Sequence, residues 1–147
     1  PRITGITNQI KSCNYLSYIV LKDKALKKGY FEAIMLDYKN NIADGTSSNV
    51  FIVKNNVLKT PKINDFVLPG ITRQAILEIS KENNINLKEQ TLKEKDMFDA
   101  DEVFITSTGI EILPVCTINN CKIGNGQPGR LTKILINKFF KSFEKNL

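Results

Sequence analysis

A chain of 147 residues suits one folded domain and leaves little room for a second. With 41% hydrophobic and 24% charged residues, the composition is too apolar for a disordered protein. The net charge of +6 attracts anions, but the lysines are scattered rather than clustered, which argues against a nucleic-acid-binding module. No apolar run approaches a membrane span and no signal-like leader opens the chain, so the expectation is a cytoplasmic protein without membrane contact.

The chemistry-bearing residue types narrow the classes of reaction. Cys13, Cys116 and Cys121 are odd in number and show no C-x-x-C spacing, which disfavours disulfides and a zinc site and fits reduced thiols. Histidine is absent, which excludes the most common general base and the Ser-His and Cys-His nucleophile pairs. If the chain is catalytic, then a lysine, a carboxylate, a tyrosine or a cofactor must move the protons.

The first half of the chain predicts one helix followed by a β-meander. Apolar residues recur at helical spacing from Asn14 until Gly29 ends the pattern. Strands are predicted at residues 31–36 and 49–53, with turns at residues 38–41 and 55–56.

The second half adds two helices and further strands. Pro69-Gly70 breaks the chain before a helix predicted from Thr72 to about Lys81. Residues 86–92 and 103–106 suggest strands, and residues 115–123 suggest a hairpin. The last helix is predicted at about residues 130–143, and the mixture of elements favours the α+β class.

Two segments are candidate anion sites. Gly70 precedes a helix start, where free backbone amides and the helix dipole favour an anion, and Thr72 adds a hydroxyl. Residues 106–109 join three hydroxyls to a glycine at a strand end. Taken alone, a plain helix entry and a polar turn are the more frequent explanations of these patterns.

A third glycine-rich segment predicts a turn. Residues 124–129 match G-x-G-x-x-G literally, but a dinucleotide fold also needs a second strand bearing an acidic residue about 20 positions later. The chain ends before such a strand, and Pro128 removes one of the amide donors.

Five collinear segments together resemble the class IV (fold type IV) pyridoxal-phosphate aminotransferases. They are residues 10–16 (I-K-S-x-N-Y-L), 42–51 (E-G-x-x-S-N-x-F), 68–73 (L-P-G-I-T-R), 101–115 (D-E-V-F-x-T-x-T-x-x-E-x-x-P-V) and 123–129. The resemblance runs from about Ile10 to Phe143 in order and at matching spacing. It implies an α+β fold with a mixed, barrel-like β-sheet core and flanking helices.

The resemblance also implies how this chain relates to a whole enzyme. Residues 1–147 would form a single cofactor-binding C-terminal domain, and the N-terminal domain of the family would not be part of this chain. Family members act as dimers, so a homodimer is expected for the full-length protein.

Site roles follow from the resemblance. Lys11 would carry pyridoxal 5'-phosphate as a Schiff base and act as the catalytic base, which removes the difficulty of the missing histidine. The implied cofactor-binding residues are Lys11, Tyr15, Asp44, Gly70, Ile71, Thr72 and Thr108, and the implied substrate-binding residues are Thr108 and Gly109. Asp44 stands where the family has a glutamate paired with the pyridine nitrogen, and it is shorter by about 1.5 Å of reach. Ile110 and Leu113 are bulkier than the family's usual residues.

The implied reaction is transamination between an α-amino acid and a 2-oxo acid. Within the family, 4-amino-4-deoxychorismate lyase is the alternative, because it uses the same lysine to eliminate rather than transaminate. The Thr-Ser-Ser-Asn-Val-Phe stretch leans toward the D-amino-acid type. From another class, a non-catalytic basic binding module stays open, and only the enzyme predicts a Schiff-base absorbance band.

Overall fold

The computed structural model describes residues 15–64 and 66–144, with no account of the side chains of residues 143 and 144. Lys11 and Cys13 lie outside the described residues. The elements in chain order are α1 (Leu16–Lys27), β1 (Ile34–Leu36), β2 (Ile42–Gly45), β3 (Asn49–Lys54), β4 (Val57–Thr60), α2 (Ile71–Glu82), β5 (Leu87–Glu89), α3 (Glu94–Phe98), β6 (Glu102–Ser107), β7 (Glu111–Val115), β8 (Thr117–Ile118), β9 (Cys121–Lys122) and α4 (Arg130–Glu144).

A five-stranded sheet in the order β5-β4-β3-β6-β7 forms the centre of the fold. Its strands pair antiparallel except for β4 and β5, which are parallel. The β3–β4 turn forms at Asn55 and Asn56, whose φ angles of 51° and 60° suit the tight turns that asparagine tolerates. Within the described residues the sheet is open, with β5 and β7 at its edges. The α+β expectation is confirmed, and the described strands do not close into a barrel.

The central sheet carries one apolar cluster on each face. Side chains alternate along β3 and β6, as the two-residue period of a strand requires. The face covered by α2 and α4, here called the helix face, holds Phe51, Val53, Leu58, Ile76, Ile79, Phe104, Ile112, Leu131, Leu135 and Phe139. The opposite face holds Ile42, Val50, Ile52, Leu92, Met97, Ala100, Val103, Ile105 and Ile123.

Strand alternation fixes where two polar residues lie. Asn49 and Thr106 are register partners at the ends of β3 and β6, and both are in phase with the stacked pair Phe51 and Phe104. Because the phenylalanines belong to the helix face, Asn49 and Thr106 occupy the same face, on the side from which α2 packs against β6.

The sequence predicts α1, α2, α4 and β3 closely, and the structure differs from the prediction in shorter elements. β1 covers only residues 34–36, whereas a strand was expected over residues 31–36. β7 and the short α3 were not predicted. The glycine-rich segment is a turn as expected, and at Gly124 the φ of 54° and the Asp101 carbonyl, 2.3 Å from where a Cβ would stand, both require glycine.

No helix in the described part of the chain is long and apolar enough to cross a membrane.

Candidate functional site

Asp44 provides a buried carboxylate at the end of β2. Its side chain lies in a strand whose four residues are all buried, and the residue is 7% exposed. The Asn49 side-chain amide donates to one carboxylate oxygen at 3.0 Å, and the Leu68 backbone amide donates to the other at 2.7 Å. Two N–H donors favour an ionised carboxylate at this position.

Asn49 joins this carboxylate to the loop that enters α2. Its Nδ2 also donates to the Leu68 carbonyl at 2.8 Å, so one amide group contacts both Asp44 and Leu68. The residue is 5% exposed. Residue-by-residue reasoning on the sequence did not select Asn49, although the resemblance motif E-G-x-x-S-N-x-F contains it.

Gly70 is required by the close approach of Asn49 rather than by its own backbone angles. Its φ of −70° and ψ of 143° are extended values that any residue adopts. A Cβ built on Gly70 would stand 2.1 Å from Oδ1 of Asn49, a separation that real contacts do not reach. A glycine at this position therefore lets the α2 entry loop lie directly against the Asn49 side chain.

The start of α2 offers backbone donors. No side chain among the described residues caps the helix at this end, and its own bonding starts where the Gln74 amide donates to the Gly70 carbonyl at 2.9 Å. The amides that precede Gln74 in the first turn therefore remain outside the helical hydrogen bonding. Thr72 is buried in this turn, whereas the side chain of Ile71 is 81% exposed.

Arg73 has two partners within the protein itself. The residue is 3% exposed, its guanidinium donates to the Pro61 carbonyl at 3.0 Å, and it forms an ion pair with Glu89. An arginine in the first turn opposes the helix dipole, and the Glu89 carboxylate offsets this cost. The contact ties the start of α2 to β5.

Thr106 carries an unusual hydroxyl. It is fully buried, and its Oγ1 has no hydrogen-bond partner in the part of the chain that the structure describes. A buried hydroxyl without a partner costs free energy, so such a group often faces a ligand or an ordered water. Thr106 lies on the helix face beside Asn49, its register partner in β3. The Asn49 side chain in turn lies against Gly70.

An exposed turn joins β6 to β7, directly after Ser107 ends β6. Thr108 and Gly109 are both exposed, and Ser107 pairs with Glu111 across the turn. Glu111 has a φ of 54°, a strained value for a residue other than glycine. Thr108 follows two residues after Thr106, directly after the end of β6.

Tyr15, the first described residue, interacts electrostatically with Asp44. Burial raises the pKa of Tyr15 above its ordinary value, and the neighbouring Tyr18 and the charge of Asp44 raise it further. The two tyrosine rings lie 5.0 Å apart. The phenol of Tyr15 therefore stays protonated and can donate a hydrogen bond.

A second polar cluster supports the turn between β2 and β3. Glu32 accepts hydrogen bonds from the hydroxyls of Thr46, Ser47 and Ser48. Lys22 of α1 lies 3.6 Å from the same carboxylate. Sequence reasoning missed Glu32, because a single glutamate in an apolar stretch carries no signal of its partners.

The structure thus connects Asp44, Asn49 and Gly70 directly and brings Tyr15 near Asp44. It places Thr106 on the same face as Asn49, with Thr72 in the first turn of α2. Lys11 lies outside the described residues.

Comparison with known proteins gives these residues a family context. The model of the class IV aminotransferase family matches residues 5–118. A putative branched-chain-amino-acid aminotransferase from Methanocaldococcus jannaschii is 45% identical over 88% of this chain and 45% of that protein. A D-alanine aminotransferase from Bacillus licheniformis is 43% identical over 84% of this chain and 44% of that protein.

Solved structures agree in fold. The branched-chain aminotransferase of Escherichia coli is 41% identical, with a TM-score of 0.85 over 87% of this chain and 42% of that one. The pyridoxal-phosphate form of the enzyme from Thermobaculum terrenum is 29% identical, with a TM-score of 0.90 over 96% of this chain and 47% of that one. The chain spans less than half the length of the curated relatives it matches. Since the family model covers most of its residues, the chain belongs to the class IV aminotransferase family.

Proposed function

We propose that this chain forms the cofactor-carrying part of a pyridoxal-phosphate aminotransferase that moves an amino group between an α-amino acid and a 2-oxo acid. Family membership supports the reaction class. The observation that carries the proposal is the contact of Asp44 with Asn49 and Leu68, because it joins a buried carboxylate to the entry of an uncapped helix. A cofactor with a basic ring nitrogen and a phosphate group needs both features.

The residues present fit pyridoxal 5'-phosphate. Gly70, Ile71 and Thr72 supply the uncapped first turn of α2, which suits a phosphate. The unpartnered hydroxyl of Thr106 lies on the same side of the sheet, and Thr108 follows at the exposed turn. These groups would hold the phosphate.

The ring end would be held by the buried part of the site. Asp44 would accept a hydrogen bond from the protonated pyridine nitrogen and so keep the proton there. Its two oxygens accept the N–H groups of Asn49 and Leu68, and a carboxylate offers about four lone-pair sites in all. Tyr15 would donate a hydrogen bond from its phenol to the ring oxygen, since its raised pKa keeps the phenol protonated.

When bound, pyridoxal phosphate supplies an electron sink for the pair of electrons left when a substrate loses its Cα proton. Lys11 would hold the cofactor covalently and take that proton, since a desolvated lysine can serve as a base. Thr108 and Gly109 would orient the substrate carboxylate with a hydroxyl and a backbone amide at the mouth of the site.

We extend the proposal to the whole protein. The chain is a single cofactor-binding C-terminal domain, and the full-length enzyme is a cytoplasmic homodimer. The relatives include a branched-chain and a D-alanine aminotransferase, which leaves two substrate classes to compare.

A panel of amino donors tests the proposal on the full-length protein. With pyridoxal phosphate added, the protein should develop the absorbance band of a lysine-bound cofactor. With 2-oxoglutarate as acceptor, it should convert at least one branched-chain or D-amino acid to its 2-oxo acid. Release of pyruvate from 4-amino-4-deoxychorismate without amino transfer would favour the lyase instead. The absence of any cofactor band would contradict both enzymes.

A further inference from the structure

We propose that Asn49 is a positioning residue that fixes the Asp44 carboxylate relative to the first turn of α2, so that the ring and phosphate ends of the site keep one separation. The inference rests on the proposed function for its catalytic consequence. The contact itself is a property of the protein without cofactor.

The geometry of Asn49 leaves its amide group little freedom. Its Nδ2 donates to Oδ1 of Asp44 at 3.0 Å and to the Leu68 carbonyl at 2.8 Å. Both donor hydrogens of the amide are thereby used, since an asparagine side chain has two. Its Oδ1 faces Gly70, where a Cβ would approach to 2.1 Å.

The three partners belong to two segments of the chain, β2 and the loop that enters α2. Asp44 is the penultimate residue of β2, Leu68 lies in the loop before α2, and Gly70 is the N-cap residue of α2. Leu68 also donates its own amide to Asp44 at 2.7 Å. Asn49 and Leu68 therefore close a ring of three hydrogen bonds around the Asp44 carboxylate.

Asn49 is itself held by a rigid element. It begins β3, the central strand of the five-stranded sheet, and pairs with Thr106 of β6. Two residues later, Phe51 stacks on Phe104 with ring centroids 4.9 Å apart. The side chain thus connects the fixed core of the sheet to two segments that would contact opposite ends of the cofactor.

Replacement of Asn49 by aspartate tests the contact, because it keeps the shape and changes the charge. A second carboxylate would stand about 3 Å from Asp44, and two carboxylates that close cannot both ionise easily. Their pKa values in the folded protein would rise above the unfolded value of about 3.9. A carboxylate whose pKa is higher in the folded protein than in the unfolded chain destabilises the fold once the pH exceeds its pKa in the unfolded chain. The loss of stability grows as the pH rises towards its pKa in the folded protein.

The experiment compares the full-length protein with its Asn49→Asp, Asn86→Asp and Asp44→Asn/Asn49→Asp variants. Asn86 is exposed, so Asn86→Asp makes the same chemical change away from the site. In the cofactor-free proteins, the melting temperature of Asn49→Asp should fall increasingly below wild type between pH 4.5 and pH 8, by roughly 5 °C or more at the upper end. Asn86→Asp should show no such trend. The double variant removes the pair of carboxylates and should lose most of the pH trend, although the Leu68 carbonyl no longer has the Asn49 donor.

Kinetics then separate positioning from simple support of the fold. With cofactor bound, Asn49→Asp and Asn49→Ser should lower kcat by about tenfold or more with a small change in KM, since displaced groups cost rate. The double variant should lose the pH trend without regaining kcat, because its carboxylate is on the wrong residue. An unchanged kcat in Asn49→Ser would overturn the positioning role. A pH-independent stability loss in Asn49→Asp would overturn the contact between Asn49 and Asp44. A wild-type protein that binds no cofactor would overturn the proposed function. In that case the stability of the cofactor-free proteins would still decide whether the contact exists.

Discussion

Asp44 reaches about 1.5 Å less far than a glutamate on the same backbone would. The residues around it are correspondingly close, since Leu68 and Asn49 contact its two oxygens at 2.7 and 3.0 Å. The carboxylate is therefore fixed by the loop that enters α2 as well as by its own strand. A local change in that loop should reach Asp44 directly.

Substitution of Asp44 by asparagine should retain cofactor binding and slow the loss of the substrate's Cα proton. A neutral amide cannot keep the ring nitrogen protonated, so the electron sink weakens. We expect single-turnover rates to fall by about 100-fold, the effect of a charge-stabilising group in other active sites. The exposed Asp99→Asn is the control, and equal single-turnover rates in Asp44→Asn and wild type would show that this carboxylate is not the ring's partner.

Substitution of Gly70 by alanine should destabilise the protein, although the backbone angles of Gly70 suit alanine. The added Cβ would stand 2.1 Å from Oδ1 of the buried Asn49 amide and displace it, and overpacking of this kind typically costs about 1–3 kcal/mol. Chemical denaturation measures the loss. Gly109→Ala provides the matched stability control, because nothing lies within 4 Å of its new Cβ. Equal stabilities for the two variants would contradict the steric explanation.

At the scale of elements, Glu32 ties α1 to the turn that follows β2. Burial by itself would raise the pKa of Glu32, but hydrogen bonds from Thr46, from the Ala33 amide and from Ser47, with the charge of Lys22, outweigh it. The pKa therefore lies below its ordinary value. A carboxylate with a lowered pKa stabilises the fold fully at pH values above its pKa in the unfolded chain, about 4.3. This stabilisation is lost as the pH falls through its pKa in the folded protein.

Glu32→Gln should therefore lower the free energy of unfolding at neutral pH, and its difference from wild type should be constant from pH 6 to 8 and shrink below about pH 4. Urea titrations at several pH values measure this difference. Glu82→Gln, an exposed change at the end of α2, is the matched control for the removal of one carboxylate. A difference for Glu32→Gln that stays constant down to pH 3 would mean that the carboxylate charge does not stabilise this turn.

Local pattern predicts the long elements well and the short ones poorly. α2 and α4 each present an apolar stripe to the sheet, and β3 is a run of buried residues, so periodicity identifies them. The five-residue α3 has too few turns to show a period. β7 contains Pro114, a residue that argues against a strand when only the sequence is known. It also begins at Glu111 with a positive φ, which a strand pattern does not predict.

The same limit applies to the site. Asp44, Thr72 and Thr108 stand in segments that motif resemblance identifies. Asn49 and Glu32 act through partners that are remote in the chain, since Leu68 is 19 residues from Asn49 and Thr46 is 14 from Glu32. Such contacts depend on topology, which residue spacing alone does not reveal.

At the scale of the whole molecule, the chain matches less than half of each curated relative. α1 exposes large apolar side chains: Leu16, Ile19, Val20 and Leu26. We expect the isolated 147-residue chain to turn over amino donors at less than about 1% of the full-length rate, because positioning by the rest of the enzyme supplies several kcal/mol of the barrier reduction. Parallel assays at equal cofactor occupancy measure the ratio, and equal rates would refute this expectation.

The central claim is that this chain carries the cofactor through Lys11, beside the site formed by Asp44, Asn49 and the start of α2. Borohydride reduction of the cofactor-loaded full-length protein, followed by peptide mass spectrometry, tests it most directly. We expect a reduced pyridoxyl group on Lys11, and no label in a Lys11→Ala variant treated in parallel. Stoichiometric label on any other lysine, with Lys11 unmodified, would contradict it.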